Sequence, residues 1–308
     1  MLVVKTWRDF LQTKTFSFTD LPEIYQIEAT NACQLKCKMC ARELMKREEG
    51  LLNPKLVEEM AERGDFANSY YVELQMYGEP LLHPNLSKII EILKEKTDVK
   101  VGFSTNGILL DEKIDGVLKC DFITVSLDAN NPKTYKDIRG VDFYNRIETG
   151  LNWLLSFKDR PVVDIQLIDL SENKDQISLV KEIYKRFPNV VVRSVPDCNV
   201  NLFAQTSAYP NTHELCLNPW LSVSVFWDGD VVPCCFWFDE YKDTEKKKSF
   251  VYGNLYNEPL GKIWTNDKVK DLRKAHITNK LPQRCTYCIM RSPVLLHFRM
   301  VQTWLKEL

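Results

Sequence analysis

Cys33, Cys37 and Cys40 place three thiols within eight residues, just after an apolar-alternating run from Ile24 to Ala29. The run reads as a strand that feeds a ligand loop. Structural zinc takes four protein ligands in a closed shell. Three thiolates suit a 4Fe–4S cluster that keeps one iron free of protein, open to a substrate or cofactor. A zinc reading of the spacing stands beside it.

A second set of thiols lies near the other end. Cys216 is followed by twelve residues, Gly229, four residues and Cys234, and Cys285 and Cys288 form a Cys-x2-Cys knuckle. Between Cys216 and Cys234, β-formers alternate around Asp228-Gly229, which predicts a hairpin with a primed turn over 223–232. The hairpin brings Cys234 back toward Cys216. With the knuckle, four thiolates make a closed site for zinc or a cluster. Cys235 is surplus. Cys120 and Cys198 stand alone and read as small buried hydrophobes.

The elements that must position these groups follow from composition and period. The chain has 308 residues, 44% hydrophobic and 27% charged, with net charge −1. That composition is globular, and it points to neither nucleic acid nor an anionic membrane. No apolar stretch approaches the ~18 residues of a membrane span. The start, MLVVKTWRDF, lacks the apolar core of a signal peptide. A cytoplasmic location is expected, where ten cysteines argue for metal rather than disulfides. The run Glu245 to Lys248 reads as a solvated loop.

Residues 1–21 read as a helical lead, with Trp7, Phe10 and Leu11 at helical spacing and Pro22 ending the segment. Strands are expected at 23–29, 70–76, 99–104, 122–127, 162–168 and 190–193. Helices are expected at 55–63 (capped by Asn53-Pro54), after Pro84, after a cap at Asp111, and at 144–157 and 174–187. Alternating strands and helices imply a parallel α/β sheet with right-handed crossovers. Six strands are too few for a closed eight-stranded barrel. The polar signatures fall at the carboxyl ends of the strands, where such sheets bind ligands: Cys33–Cys40, Gly78-Glu79-Pro80, Ser104 to Gly107, and Ser126 to Asp128.

Cys-x3-Cys-x2-Cys after the first strand, with Gly78-Glu79-Pro80 after the second, resembles the radical S-adenosylmethionine (SAM) superfamily. The segment 216–288 resembles its SPASM/twitch extension, through Gly-x4-Cys, Gly253-Asn254 and Ile263-Trp264. No cysteine follows Cys288, which matches the truncated form with one auxiliary cluster. The resemblance implies a partial (β/α)6 barrel over 22–195, a linker at 196–215, a small α+β cluster domain at 216–290 and a C-terminal helix at 291–308.

It also implies the cofactors. A 4Fe–4S cluster is expected on Cys33, Cys37 and Cys40, and an auxiliary 4Fe–4S cluster on Cys216, Cys234, Cys285 and Cys288. SAM is expected against Gly78, Glu79, Ser104, Asn106, Ser126, Asp128 and Arg139. Met39 takes the place of the aromatic residue that many members set against the adenine, and Arg42 fits a Cys-x-Met-Cys-x-Arg variant. Asn106-Gly107 also reads as a plain turn, Asp128 as a helix cap and Arg139 as a surface residue.

The implied activity is that of an oxidoreductase. SAM is cleaved reductively to a 5′-deoxyadenosyl radical, which takes hydrogen from a small polar metabolite such as a sugar, aminocyclitol or nucleoside derivative. Dehydrogenation or rearrangement follows, with the auxiliary cluster as electron conduit and a flavodoxin or ferredoxin as reducing partner. The lead of 21 residues leaves no room for a leader-binding domain, so a peptide or protein side chain is the alternative substrate. A non-catalytic zinc or Fe–S scaffold is the further alternative. Gln166, Asp169, Arg193, Asp197 and Asn199 are candidate substrate-facing groups. No general base is assigned.

Overall fold

The structure is a computed structural model that describes residues 21–197, 216–237, 250–286 and 288. The helical lead, the C-terminal helix, most of the linker, Cys198, Asn199 and the 245–248 run lie outside the described residues.

Six strands run parallel in sequence order: β1 Ile24–Ile27, β2 Tyr71–Glu73, β3 Lys100–Thr105, β4 Phe122–Ser126, β5 Val162–Asp169 and β6 Val190–Pro196. The helices are α1 Pro54–Glu62, α2 Leu86–Lys96, α3 Ile114–Val117, α4 Pro132–Arg139, α5 Tyr144–Ser156 and α6 Ile177–Tyr184. α1 starts as its sequence directs. The Asn53 side chain accepts from Lys55 N at 3.0 Å, with Pro54 in the first turn.

Two local expectations are corrected. Asp111 does not cap α3: the N-cap is Lys113, without a side-chain bond, and Asp111 Oδ1 accepts from Glu112 N at 3.1 Å instead. Asp128 does not cap the helix after β4 either. Asn131 does, accepting from Thr134 N at 2.9 Å, and it opens α4, a helix absent from the expected set. Asn131-Pro132 repeats the signal of Asn53-Pro54, so this helix was legible.

The hairpin after Cys216 does not form a separate sheet. Its strands β7 Ser222–Val225 and β8 Asp230–Val232, with β9 Gly253–Asn254, extend the barrel sheet in the order β6-β5-β4-β3-β2-β1-β7-β8-β9. β7 lies parallel to β1, with Gln26 opposite Ser224. The turn is also not a primed one. Only Gly229 has positive φ, at +82°, and its N–H donates to the Phe226 carbonyl at 2.9 Å. That is a four-residue turn closed by a left-handed glycine, a common alternative hairpin connection. α7 Asn218–Leu221 precedes the hairpin, and α8 Leu260–Trp264, α9 Asp267–Ile277 and α10 Gln283–Thr286 follow it. Asp65 ties this part to the barrel: its Oδ1 accepts from Leu260 N at 3.3 Å, and Arg63 Nη1 donates to the Leu255 carbonyl at 3.1 Å.

Alternation within the strands sorts the two faces of the sheet. Tyr25, Ile27, Val72, Val101, Phe103, Ile123, Val125, Val163 and Ile165 join the main core. The opposite face lines the barrel. Ile24, Tyr71 and Phe122 close its floor, with Tyr71 and Phe122 stacked at 4.5 Å. Above the floor the lining is polar.

One buried titratable group carries a stability prediction. His83 is 2% exposed; Asn85 N donates to its Nδ1 at 3.1 Å, so Nε2 carries the proton and donates to the Leu52 carbonyl at 2.9 Å. Burial holds its pKa below the ordinary imidazole value. The unfolded chain therefore takes up a proton near pH 6.5 while the native state resists. Stability is expected to fall as the pH drops through that value, by at most about 1.4 kcal/mol per pH unit. Urea unfolding at pH 7.5 and 5.5 checks this: the drop should be smaller in His83→Gln, and an equal drop would refute it.

Candidate active site

The ligand loop leaves β1 and is tied down on every side. Thr30 Oγ1 donates to the Gly50 carbonyl at 2.7 Å, and Asn31 Oδ1 accepts from Gly50 N at 2.9 Å. Arg42 Nε donates to the Asn31 carbonyl at 2.7 Å, so Arg42 clamps the turn after Cys40 back onto the start of the loop. Lys38 N donates to the Ile138 carbonyl at 3.2 Å, joining the loop to α4. Met39 is 6% exposed and packs into the main core with Leu35 and Cys37.

The sulfurs already receive donors. Leu35 N lies 3.5 Å and Asn106 Nδ2 3.9 Å from Cys33 Sγ, and Arg139 Nη1 lies 3.4 Å from Cys37 Sγ. Burial pushes the Cys33 thiol up to about 11, and the charges of Glu79, Cys37 and Cys40 add to the effect, against the Leu35 hydrogen bond. Burial also raises Cys40. Buried thiols that resist ionisation beside one another need cationic iron to become thiolates together. Among the described residues no three His, Cys, Asp or Glu side chains converge as the ligands of one metal ion. A cluster takes one thiolate per iron and spaces its ligands more widely.

Gly78 and Glu79 abut this loop. Glu79 N donates to the Ala32 carbonyl at 2.8 Å. A Cβ on Gly78 would overlap the Thr30 carbonyl oxygen and lie 2.6 Å from its carbon, both backbone atoms that cannot swing away. Gly78→Ala is therefore expected to destabilise the fold by about 1–3 kcal/mol and to weaken SAM binding at least tenfold. Chemical denaturation and equilibrium dialysis with SAM measure the two effects; an alanine variant matching wild type in both would refute the close fit.

Glu79 is 2% exposed, and both its oxygens are engaged. Oε1 accepts from Thr105 Oγ1 at 2.6 Å and Leu81 N at 3.1 Å, and Oε2 accepts from Asn106 N at 2.7 Å. Burial raises its pKa against these bonds. Glu79 thus staples the β2 turn to the end of β3. Tyr77 Oη donates to the Cys235 carbonyl at 2.8 Å, tying the same turn to the second cysteine segment.

Arg139 is no surface residue. It is 7% exposed, donates through Nη2 to the Ser126 carbonyl at 3.0 Å, and pairs with Asp128. Burial opposes its charge, but Asp128 and Cys37 outweigh that and hold the guanidinium protonated. Asp128 takes a left-handed backbone, φ +56°, and its Oδ1 accepts from Ile168 N at 2.6 Å. Gly78, Glu79, Asn106, Ser126, Asp128 and Arg139 therefore converge at the carboxyl ends of β2, β3 and β4, beside Cys33 and Cys37, whereas the Ser104 hydroxyl meets Glu73 further down the barrel.

Below them the barrel lining is a polar ladder. Ser224 Oγ donates to Gln26 Oε1 at 3.3 Å, and Gln26 Nε2 lies 3.4 Å and Ser104 Oγ 3.2 Å from the carboxylate of Glu73. Across the barrel, Asp164 Oδ2 accepts from Thr124 at 3.1 Å and from Arg193 Nε. Burial raises the pKa of both Glu73 and Asp164. Gln166 lies level with Ser126 and Arg193 in the strand register. Asp169 is exposed. Glu73 and Asp164 were missed in the sequence. Their signal was the alternation in Val72-Glu73-Leu74-Gln75-Met76 and in Val163-Asp164-Ile165-Gln166-Leu167: a parallel strand covered on both faces is apolar throughout, so alternate polar residues mark a ligand-facing side.

In the C-terminal segment, Cys216, Cys234, Cys285 and Cys288 line one solvent-connected cavity, with Trp237 and Arg284. Burial raises Cys234 far above the ordinary thiol, and Cys235, Cys288, Cys216 and Cys285 add to it. Cys235, not among the residues that line that cavity, packs beside Met76, Phe226, Val232 and Phe250. Cys120 is 7% exposed with its thiol 3.8 Å from the Gly116 carbonyl, a buried small hydrophobe.

The radical SAM superfamily model matches residues 27–182, just over half of the 308 residues. This chain belongs to the radical SAM superfamily. The SPASM model, an iron–sulfur cluster-binding domain, matches residues 216–289. The chain carries a SPASM/twitch segment as well; the two domains imply SAM and 4Fe–4S clusters as cofactors, with the auxiliary cluster in that segment. A probable GTP 3′,8-cyclase of Methanococcus vannielii is 31% identical over 168 residues, 52% of this chain and 56% of that protein, so the chain spans about half of that relative. The tungsten-containing aldehyde ferredoxin oxidoreductase cofactor-modifying protein of Pyrococcus furiosus is 25% identical over 315 residues, 86% of each chain. The crystal structure of BtrN in complex with AdoMet and 2-DOIA shares the fold, with a TM-score of 0.57 at 19% identity over 88% of this chain and 94% of that one. No helix among the described residues is long and apolar enough to cross a membrane.

Proposed function

We propose that this radical SAM enzyme acts on a small polar metabolite, sugar-, aminocyclitol- or nucleoside-like, in a dehydrogenation or rearrangement. The observation that carries this reading is the hydrogen-bonded lining of the barrel. Glu73, Ser104, Asp164, Gln166 and Arg193 offer acceptors and donors on several sides of one interior. Such a lining suits a compact molecule with several hydroxyl or amino groups, whose polar atoms must all find partners once water is excluded.

Cys33, Cys37 and Cys40 are the proposed ligands of the SAM-binding cluster, and Cys216, Cys234, Cys285 and Cys288 those of the auxiliary one. When bound, the reduced cluster and SAM supply a 5′-deoxyadenosyl radical for hydrogen abstraction, and the auxiliary cluster supplies a one-electron port toward a flavodoxin or ferredoxin. Gly78 lets the SAM amino group approach backbone, and Ser126 reaches the ribose side. The Glu79 staple keeps the β2 and β3 ends in register. Arg139 and Asp128 form a buried pair that fixes the floor of the SAM site beside Cys37.

The test is anaerobic. The protein is reconstituted with iron and sulfide, reduced with dithionite and given SAM with panels of amino-polyols, nucleosides or short peptides. A member of the metabolite panels is expected to raise 5′-deoxyadenosine at least tenfold and, when deuterated, to transfer deuterium into it. Stimulation by peptides alone would replace this reading with the side-chain alternative. Zinc in both sites and no SAM cleavage would replace it with a scaffold.

A further inference from the structure

Tyr135 is 0% exposed, and its hydroxyl has no hydrogen-bond partner among the described residues. It stands one helical turn before Arg139 on α4. Side chains four apart on a helix meet on one face, and Arg139 on that face reaches Cys37 Sγ at 3.4 Å. Burial pushes the phenol above its ordinary value; the Arg139 charge opposes this, and Cys37, Asp128 and Cys33 add to it. Nε of Arg139, 7% exposed, is likewise without a partner. Buried donors left without acceptors are rare and call for an explanation. Two such donors thus stand on the helix whose Arg139 reaches Cys37 Sγ, and none of the functional expectations from sequence used Tyr135.

We infer that Tyr135 is a positioning residue whose hydroxyl donates to the anionic sulfur of the 4Fe–4S cluster on its Cys37 side, next to the Arg139 guanidinium. The inference rests on the reading of Cys33, Cys37 and Cys40 as ligands. Reduction adds negative charge to the cluster sulfurs. A phenol donor and a cation beside them stabilise the reduced form more than the oxidised one, which raises the reduction potential. Tyr135 thereby eases the one-electron reduction that precedes SAM cleavage.

The experiment is an EPR-monitored redox titration of the full-length reconstituted protein without SAM, wild type against Tyr135→Phe. The signal of this cluster is identified by its loss from the variant with Cys33, Cys37 and Cys40 all changed to Ser. The midpoint potential is expected to move to more negative values in Tyr135→Phe. Proton ENDOR of the reduced cluster is expected to lose one solvent-exchangeable coupling, with iron content and thermal midpoint unchanged. An unchanged potential with the exchangeable proton retained overturns the inference. Weaker SAM binding at an unchanged potential also overturns it, because the hydroxyl then serves SAM. Should Tyr135→Phe lose iron, 3-fluorotyrosine at position 135 replaces it. That stronger donor must shift the potential to more positive values, and no shift overturns the inference. If the triple Ser change removes no signal, the ligand reading falls instead, and this inference with it.

Discussion

Cys37→Ala is expected to abolish 5′-deoxyadenosine formation and to remove about four irons per chain, one 4Fe–4S cluster. Cys37 is 9% exposed, and its sulfur takes the Arg139 hydrogen bond at 3.4 Å, so it is the most enclosed of the three thiols in the loop. Removing it leaves two thiols, too few to hold a cube against solvent. The fold should survive. Arg139 keeps its partners Asp128 and Ser126, and the loop keeps its clamps from Thr30, Asn31 and Arg42. Product chromatography and iron counting on one sample measure the two effects, with Cys120→Ala as the control that keeps both. SAM cleavage within tenfold of wild type, or full iron, would sink the assignment.

Cys234→Ala is expected to remove about four irons from the auxiliary site, whereas Cys235→Ala keeps them. The two residues are adjacent, and spacing from Gly229 favours Cys234 by one position. The structure separates them by packing: Cys234 lines the cavity shared with Cys216, Cys285 and Cys288, while Cys235 sits in an apolar cluster with Met76 and Phe250. A thiol held among apolar side chains is a poor ligand, because its thiolate must first lose that environment. Both variants should retain the SAM-site cluster and its EPR signal. Loss of iron from Cys235→Ala with none from Cys234→Ala would reverse the assignment.

The legible parts of this protein are those whose physics is local. An Asn-Pro start or a period-2 strand is written within ten residues, and each held where its geometry depended on near neighbours alone. Asp111 and the turn at Asp228-Gly229 show the limit. Asp111 reads as a cap, but Asp111 Oδ1 took Glu112 N and the Arg146 guanidinium instead. Asp-Gly reads as a primed turn, but the turn closes between Phe226 and Asp230 with a left-handed glycine at its end.

By itself, the sequence determined which residues carry thiols, carboxylates and guanidinium groups, and that strands and helices alternate through the barrel. Tertiary structure decided which of them meet. β7 pairs with β1 across almost 200 positions, continuing the barrel sheet outward. That pairing sets the hairpin thiol Cys234 beside Cys216 and the Cys285–Cys288 knuckle, and sends Tyr77 against Cys235. Parallel pairing likewise brings Ser104, Thr124 and Asp164 level from three strands. The reason is physical. Caps and turns are settled by hydrogen bonds within a few residues, whereas register between distant strands is settled by burying one face of each against a common core, and no short stretch of chain contains that information.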